Sequence, residues 1–164
     1  MTATELSELD LRAAIQLFLH AHSTATIATT GPAGPWAAAV FYASDPELRL
    51  YFVSDPRTRH GRDLAADPSA AATIHPDCSS WRQIRGLQID GRVALLGGHE
   101  RADGLALYLA RFPEVQVLAR EPGDKDEQRI ARRLDTAGLY RLTPVSIRLI
   151  DNTRGFGFRQ TLAL

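Results

Sequence analysis

Basic and hydroxyl side chains crowd into a short stretch that directly follows an apolar segment. Residues 57–62 read RTRHGR, after the apolar run LRLYFV and a serine at position 54. Thr58 is a suitable N-cap, so a helix beginning at the next residue would present unpaired N–H groups at its positive end. The planar guanidinium of Arg59 fits phosphate oxygens, and His60 adds a further donor. The stretch therefore predicts a local site for a terminal phosphate group, to which Ser54 adds a hydroxyl.

The same residue types also fit a solvated basic helix with an ordinary threonine cap, because short motifs often occur without their function. Other chemical patterns in the chain are weaker. His75 and Cys78 would be half of a metal site, but the sequence has no second pair at a spacing typical of zinc. We therefore predict no metal site and name no catalytic residue. Trp81, which precedes a long predicted strand, could line a ligand site or pack in the core.

Composition limits the classes of partner. The 164 residues carry nineteen basic and nineteen acidic side chains, for a net charge of zero, and 45% of them are hydrophobic. Such a chain typically forms one domain with a sizeable core, and it does not attract polyanions or anionic lipid over a broad surface. The longest apolar stretch, WAAAVFYA, is too short to span a bilayer, and the N-terminal residues lack a signal-peptide pattern. We expect a cytoplasmic protein that binds neither nucleic acid nor membrane.

Hydrophobic periodicity predicts a mainly β chain with helices at its margins. Helical spacing indicates an N-terminal helix over 5–22, a short helix from Thr58, and an inserted helical segment over about 99–134. A phase switch around Gly91 predicts a bulge or a bend of the kind found where a sheet curls. Alternation and turn density favour a small closed antiparallel barrel over a parallel sheet. The strand candidates are 24–30, 36–42, 48–54, 70–75, 84–96, 138–151 and 156–164.

The order of these segments resembles the pyridoxamine 5′-phosphate oxidase-like FMN-binding split-barrel superfamily. The shared order is a β-branched strand, the turn GPAGP, a strand beginning PWAAAV, a strand ending in a hydroxyl residue, the cluster TRHGRDL, and DP before another strand. The segment IRGLQIDGRVALL continues the likeness, which is clear over about residues 24–97, and DNTRGFGF resembles a small uncharacterised branch. The resemblance implies a single FMN-binding domain over 1–164, folded as a six-stranded antiparallel Greek-key split β-barrel.

The resemblance also implies a cofactor and a site. The superfamily's cofactor is FMN, and its phosphate binds the cluster that matches Thr58, Arg59 and His60, with Ser54 as the strand-end hydroxyl. Its members are usually homodimers with the cofactor at the subunit interface, touched by both chains, and Trp81 is a candidate wall of that site. The backbone that follows the flavin ring matches four residues of the second strand: Ala38, Ala39, Val40 and Phe41.

Departures from the true oxidase shape the predicted function. Ala38, Ala43 and Gly86 stand where that enzyme has arginine, lysine and glutamine, so the phosphate site is better retained than the substrate pocket. We therefore predict an FMN-dependent oxidoreductase with an unknown small-molecule substrate, and not an oxidase of pyridoxamine phosphate. The alternatives are a deazaflavin-dependent reductase of the same fold, a flavin-binding or haem-binding protein without catalysis, and a dimer that has lost its cofactor.

Overall fold

The structure, a computed structural model, describes residues 5–164, with every side chain in that range except that of Asp135. It contains two 3₁₀ turns, Trp81–Gln83 and Asn152–Arg154. The helices are α1 (Glu8–Ala21), α2 (Arg59–Ala66), α3 (Gly98–Arg111), α4 (Pro113–Arg120) and α5 (Lys125–Thr136). The strands are β1 (Thr24–Gly31), β2 (Gly34–Ser44), β3 (Leu50–Ser54), β4 (Ser69–Ile74), β5 (Arg85–Leu95), β6 (Gly138–Asp151) and β7 (Arg159–Ala163).

The helices lie close to their predicted positions. Helix α1 begins at Glu8 and ends at Ala21, so it is shorter than the predicted 5–22, because Ser7 caps it by accepting from the N–H of Asp10. The inserted segment contains three helices. Pro113 ends α3 and also opens α4, since the first turn of a helix has no use for the N–H that proline lacks. No helix in residues 5–164 is both long and apolar enough to cross a membrane.

Six of the strands form a ring around the core. The order β3-β2-β1-β4-β5-β6 is antiparallel throughout, and β3 pairs with β6 to close it. The side chains of Ile27, Phe52, Leu87 and Leu142 fill the interior and are fully buried. Helix α1 covers this interior with Ile15, which has no exposed surface. The predicted antiparallel split barrel with flanking helices is therefore confirmed as the fold class.

The predicted strand number of six is wrong, because the sheet has seven strands. Strand β6 has 14 residues, whereas β3 has five, so β3 covers only the first part of one edge of β6. The rest of that edge would leave N–H and C=O groups without partners. Strand β7 pairs there, from Ser146 to Ile150 of β6. The segment 138–151 is thus one long strand that pairs with both β3 and β7 along the same edge.

The predicted irregularity at Gly91 is confirmed as a shift of the β5–β6 register between Asp90 and Gly91. A Cβ atom at Gly91 would lie 2.5 Å from the carbonyl oxygen of Thr143 and 3.0 Å from the Cα of Pro144. Both neighbours are backbone atoms, which cannot move aside as a flexible side chain can. The close approach of β5 and β6 at this point therefore requires glycine.

Replacing Gly91 with alanine should destabilise the fold by about 1–3 kcal/mol, the usual cost of overpacking a buried contact. Urea unfolding followed by circular dichroism measures this change. Gly97→Ala is the matched control, because nothing lies within 4 Å of a Cβ atom at that position. Equal unfolding midpoints for Gly91→Ala and Gly97→Ala would contradict the steric explanation.

Candidate functional site

A sharp corner joins the end of β3 to the start of α2. Pro56 has no N–H with which to continue a strand ladder, and the chain turns there. Thr58 caps α2 as predicted, because its hydroxyl oxygen accepts from the N–H of Gly61 at 3.2 Å. The same hydroxyl donates its proton to the carbonyl oxygen of Asp55 at 2.7 Å. The first N–H groups of α2 therefore lie directly beside the end of β3.

His60 joins the two hydroxyl groups of this corner. Its Nε2 lies 2.6 Å from the Ser54 hydroxyl oxygen and 3.2 Å from that of Thr58. Since the Thr58 proton is already donated to Asp55, a hydrogen bond between Nε2 and Thr58 requires the imidazole to be the donor. The side chain is only 7% exposed, and burial lowers its pKa from 6.5, although the negative charge of Asp63 partly opposes this shift. His60 is thus an uncharged imidazole at neutral pH.

Arg59 holds the turn between β1 and β2. Its terminal NH2 group donates to the carbonyl oxygens of residues 33, 34 and 35, at 2.9, 3.0 and 3.3 Å. The guanidinium carbon lies 4.6 Å from the centre of the Trp36 ring, an arrangement that is typical of a cation–π contact. The Nε of Arg59 is buried and has no hydrogen-bond partner among the described residues. The Nε–H of Arg59 is therefore without an acceptor in this part of the chain and could donate to a ligand.

The other predicted segment lies on an open strand edge. Strand β2 pairs with β1 from Gly34 to Phe41, but its opposite edge pairs with β3 only at Tyr42, Ala43 and Ser44. Tyr42 donates its N–H towards Ser23, on the β1 side. Because backbone groups alternate in direction along a strand, those of Ala39 and Phe41 point to the open side. The four predicted residues from Ala38 to Phe41 thus divide into two that face β1 and two that face the opening.

The structure brings together most of the predicted site residues, but not Trp81. The corner is followed by α2, which leads into β4 at Ser69, whereas Trp81 follows the far end of β4 at Ile74. At roughly 3.3 Å per residue, the two ends of this strand are about 17 Å apart. The indole of Trp81 packs edge-on against Phe156, with 5.2 Å between ring centres. Within one chain, Trp81 and the corner therefore do not share a site.

Asp63 was missed by the sequence analysis. This carboxylate is 6% exposed and accepts from the Thr29 hydroxyl at 3.0 Å. A Cβ atom at Gly31 would lie 1.9 Å from one of its oxygens, so the glycine lets α2 approach β1. An aspartate in a polar helix is normally solvated. Its position three residues after His60 gives no sign that it is buried. Only the packing of α2 on β1 reveals it.

His75 and Cys78, which the sequence analysis considered as half of a metal site and set aside, are both exposed. In the part of the chain that the structure describes, no group of three or more histidine, cysteine, aspartate or glutamate side chains could hold a metal ion.

Comparison with known proteins identifies the family. Residues 11–141 match the family model of pyridoxamine 5′-phosphate oxidase. The chain belongs to the pyridoxamine 5′-phosphate oxidase family. Within this family, it is similar to a UPF0306 protein of Klebsiella pneumoniae subsp. pneumoniae, with 29% identity over 150 residues that cover 91% of this chain and 90% of that protein. The predicted membership of a branch separate from the true oxidase is confirmed.

Solved structures with this fold bind more than one kind of cofactor. A heme binding protein from Mycobacterium smegmatis matches 98% of this chain, with a TM-score of 0.69 and 19% identity, although this chain spans only 59% of that protein. A FAD-binding protein from Mesorhizobium loti has a TM-score of 0.63 and 17% identity, over 87% of this chain and 92% of that chain. At these identities the likeness shows the fold alone. The fold of the family is thus shared by flavin-binding and haem-binding proteins.

The pKa of His60 predicts a specific pH dependence of stability. The unfolded chain takes up a proton on this residue near pH 6.5, whereas the folded chain resists it because its pKa is lowered by burial. The free energy of unfolding should therefore fall as the pH drops through about 6.5, by less than about 1.4 kcal/mol per pH unit. In His60→Gln this part of the slope should disappear, while the lowered pKa of His22 contributes equally to both proteins. Urea titrations between pH 5 and 8 test this, and parallel curves would contradict it.

Proposed function

We propose that the chain binds FMN and acts as a flavin-dependent oxidoreductase on a small molecule. The observation that carries this proposal is the position of the corner beside the open edge of β2. The hydroxyls of Ser54 and Thr58 meet at His60, and Arg59 ties the same corner to the β1–β2 turn. A phosphate group and a planar ring have separate, adjacent places here, as an FMN molecule requires.

The corner would hold the phosphate through uncharged donors and one arginine. If the imidazole N–H donates to Ser54, the Ser54 proton remains available for a phosphate oxygen. The first N–H groups of α2 add donors at a positive helix end. Arg59 has a buried Nε without a partner, and a phosphate oxygen would supply the missing acceptor after a small movement of the side chain. The residues present therefore fit a phosphate, and His60 acts by orienting hydroxyls rather than by its charge.

The open edge of β2 would hold the ring. Backbone groups of Ala39 and Phe41 point to this edge and can exchange hydrogen bonds with the polar rim of a flavin. The Phe41 side chain is 58% exposed, and its ring lies 5.5 Å from that of Phe112 on the loop between α3 and α4. Bound flavin supplies the electron or hydride transfer. The chain would position the ring and exclude water from one side of it.

Haem is the second candidate, since proteins of this fold include haem binders. Its iron needs an axial ligand such as histidine, but the Nε2 of the corner histidine, His60, is already engaged with two hydroxyls. A deazaflavin would use the same places as FMN. The visible spectrum of the purified protein distinguishes these candidates, because a Soret band would indicate haem and flavin bands would indicate FMN.

The phosphate corner predicts that FMN binds more tightly than riboflavin, which has the same ring but no phosphate. Ser54→Ala should weaken FMN binding about ten-fold or more, because it removes a hydrogen bond to a charged group, and should leave riboflavin binding unchanged. Quenching of flavin fluorescence measures both affinities.

Two arginine variants complete this test. Arg59→Ala should weaken both flavins, since it also releases the β1–β2 turn. Arg57→Ala is the control, because its side chain is 78% exposed and its guanidinium pairs with the Asp55 carboxylate instead of with Ser54, Thr58 or His60. Equal affinities of the native protein for FMN and riboflavin would contradict the phosphate site.

We further propose that the cofactor site is completed by a second copy of the chain. The outer face of β1, β4, β5 and β6 carries small and polar side chains around a concave region of about 440 Å³. Ala28 and Ala71 are paired across β1 and β4, and both are exposed. Small residues allow a second sheet to approach closely. A two-fold contact, with the two sheets running in opposite directions, would bring Trp81 of the partner subunit towards the corner. Trp81 could then line the cofactor site of the neighbouring subunit, as the sequence analysis predicts.

An arginine on this face should therefore break the dimer. Ala71→Arg would place a long side chain in a contact of small residues, and its bulk would hold the second sheet away. Light scattering after size-exclusion chromatography should show a dimer for the native protein and a monomer for the variant. Ala106→Arg, on an exposed part of α3, should remain dimeric. A native protein that is monomeric at all concentrations would contradict this proposal.

A further inference from the structure

A second cavity lies behind the proposed flavin cleft, beneath the inserted helices α3 to α5. Its volume is about 240 Å³, and its walls come from β3, β6 and all three helices of the insertion. An engineered apolar cavity of roughly 150 Å³ holds benzene, so this space admits a somewhat larger ring compound. The lining residues are mostly apolar, and six of them define the walls: Val53, Leu105, Leu109, Val115, Leu134 and Leu139.

One polar group in the cavity wall lacks an internal partner. Tyr108 is 5% exposed, and none of the hydrogen bonds among the described side chains and backbone groups uses its hydroxyl. The hydroxyl oxygen is not among the fully buried polar atoms that lack a partner, so it lies at an accessible surface where a ligand can reach it. Burial also raises the pKa of Tyr108 to about 12, so the hydroxyl stays protonated and can donate. A ligand with one hydrogen-bonding group would satisfy it.

The cavity is connected to the proposed cleft by a row of aromatic rings. Phe41 on the open edge of β2 lies 5.5 Å from Phe112, and Phe112 lies 4.9 Å from Tyr108, measured between ring centres. Val53 lines the cavity, and the next residue, Ser54, belongs to the corner. A molecule in the cavity would therefore sit one aromatic layer away from the edge where the flavin ring is proposed to lie.

We propose that this cavity is a binding site for a small, mainly apolar ring compound with a single polar substituent, of the size of a substituted phenol. The apolar walls contact the ring, and the Tyr108 hydroxyl forms a hydrogen bond with the polar substituent. Arg101, which also lines the cavity and is half-buried, favours a substituent with lone pairs over a cationic one. This site goes beyond the flavin proposal and does not depend on it, because its walls contain no residue of the phosphate corner.

The test uses two probes of nearly equal shape, p-cresol and toluene, followed by ligand-observed NMR titration of the full chain without FMN. Both should bind to the native protein. Tyr108→Phe should weaken p-cresol about three- to ten-fold, as expected for the loss of one hydrogen bond, and should leave toluene unchanged. Ala137→Leu, which adds bulk at the cavity wall, should weaken both probes. Ala106→Leu, on the exposed side of α3, is its matched control and should bind both probes like the native protein.

Failure of this site can be distinguished from failure of the flavin proposal. If neither probe binds, or if Ala137→Leu leaves binding unchanged, the cavity is not a ligand site, whatever the FMN titration shows. If Tyr108→Phe weakens p-cresol and toluene equally, the assignment of the hydroxyl is overturned. Probe binding with the expected responses supports the site even in a protein that does not bind FMN. Circular dichroism spectra and unfolding midpoints confirm that each variant is folded before titration.

Discussion

The early end of β3 is the constraint on which the rest of the structure depends. This strand has five residues, and it pairs with β2 at only three positions before Pro56 turns the chain into α2. As a result, β2 keeps an open edge from Gly34 to Phe41, inside a ring of strands that is otherwise closed. The same turn places the N-terminal end of α2 beside that edge. The open edge of β2 and the donor-rich corner thus have one common cause.

Hydrogen bonds from both neutral and charged groups stabilise the corner. A buried imidazole connects two hydroxyls, and a buried carboxylate, Asp63, accepts from Thr29 where α2 rests on β1. One NH2 group of the Arg59 guanidinium donates hydrogen bonds to three backbone carbonyls of the β1–β2 turn. An anion bound at this corner by Arg59 would therefore be connected, through the hydrogen bonds of that side chain, to the turn that precedes β2. Under the proposed function, these local donors would bind a phosphate although the net charge of the chain is zero.

The inserted helices α3 to α5 add a second feature to the molecule. They pack on β3 and β6 and leave the apolar cavity between themselves and the sheet. Their contact with the open edge of β2 is aromatic, through Phe112, and so it shields the cleft without adding charge. The fold alone does not decide between flavin and haem, because both kinds of binding protein share it. The proposal of flavin rests on particular side chains, above all on His60, whose Nε2 already lies within hydrogen-bond distance of two hydroxyls.

The sequence by itself determined the elements and the chemistry of the corner. Periodicity located the helices and strands, Thr58 marked the start of α2, and Gly91 marked the bulge, because these signals are local and depend on backbone conformation. The tertiary structure decided which residues meet. It placed Trp81 at the far end of β4 from the corner, engaged Arg59 with the β1–β2 turn, and buried Asp63 against Gly31. It also decided that the last strand candidate, 156–164, pairs with β6, because the edge of β6 that β3 leaves open needs backbone partners. These outcomes depend on strand register and on contacts between distant segments, which a single sequence does not specify.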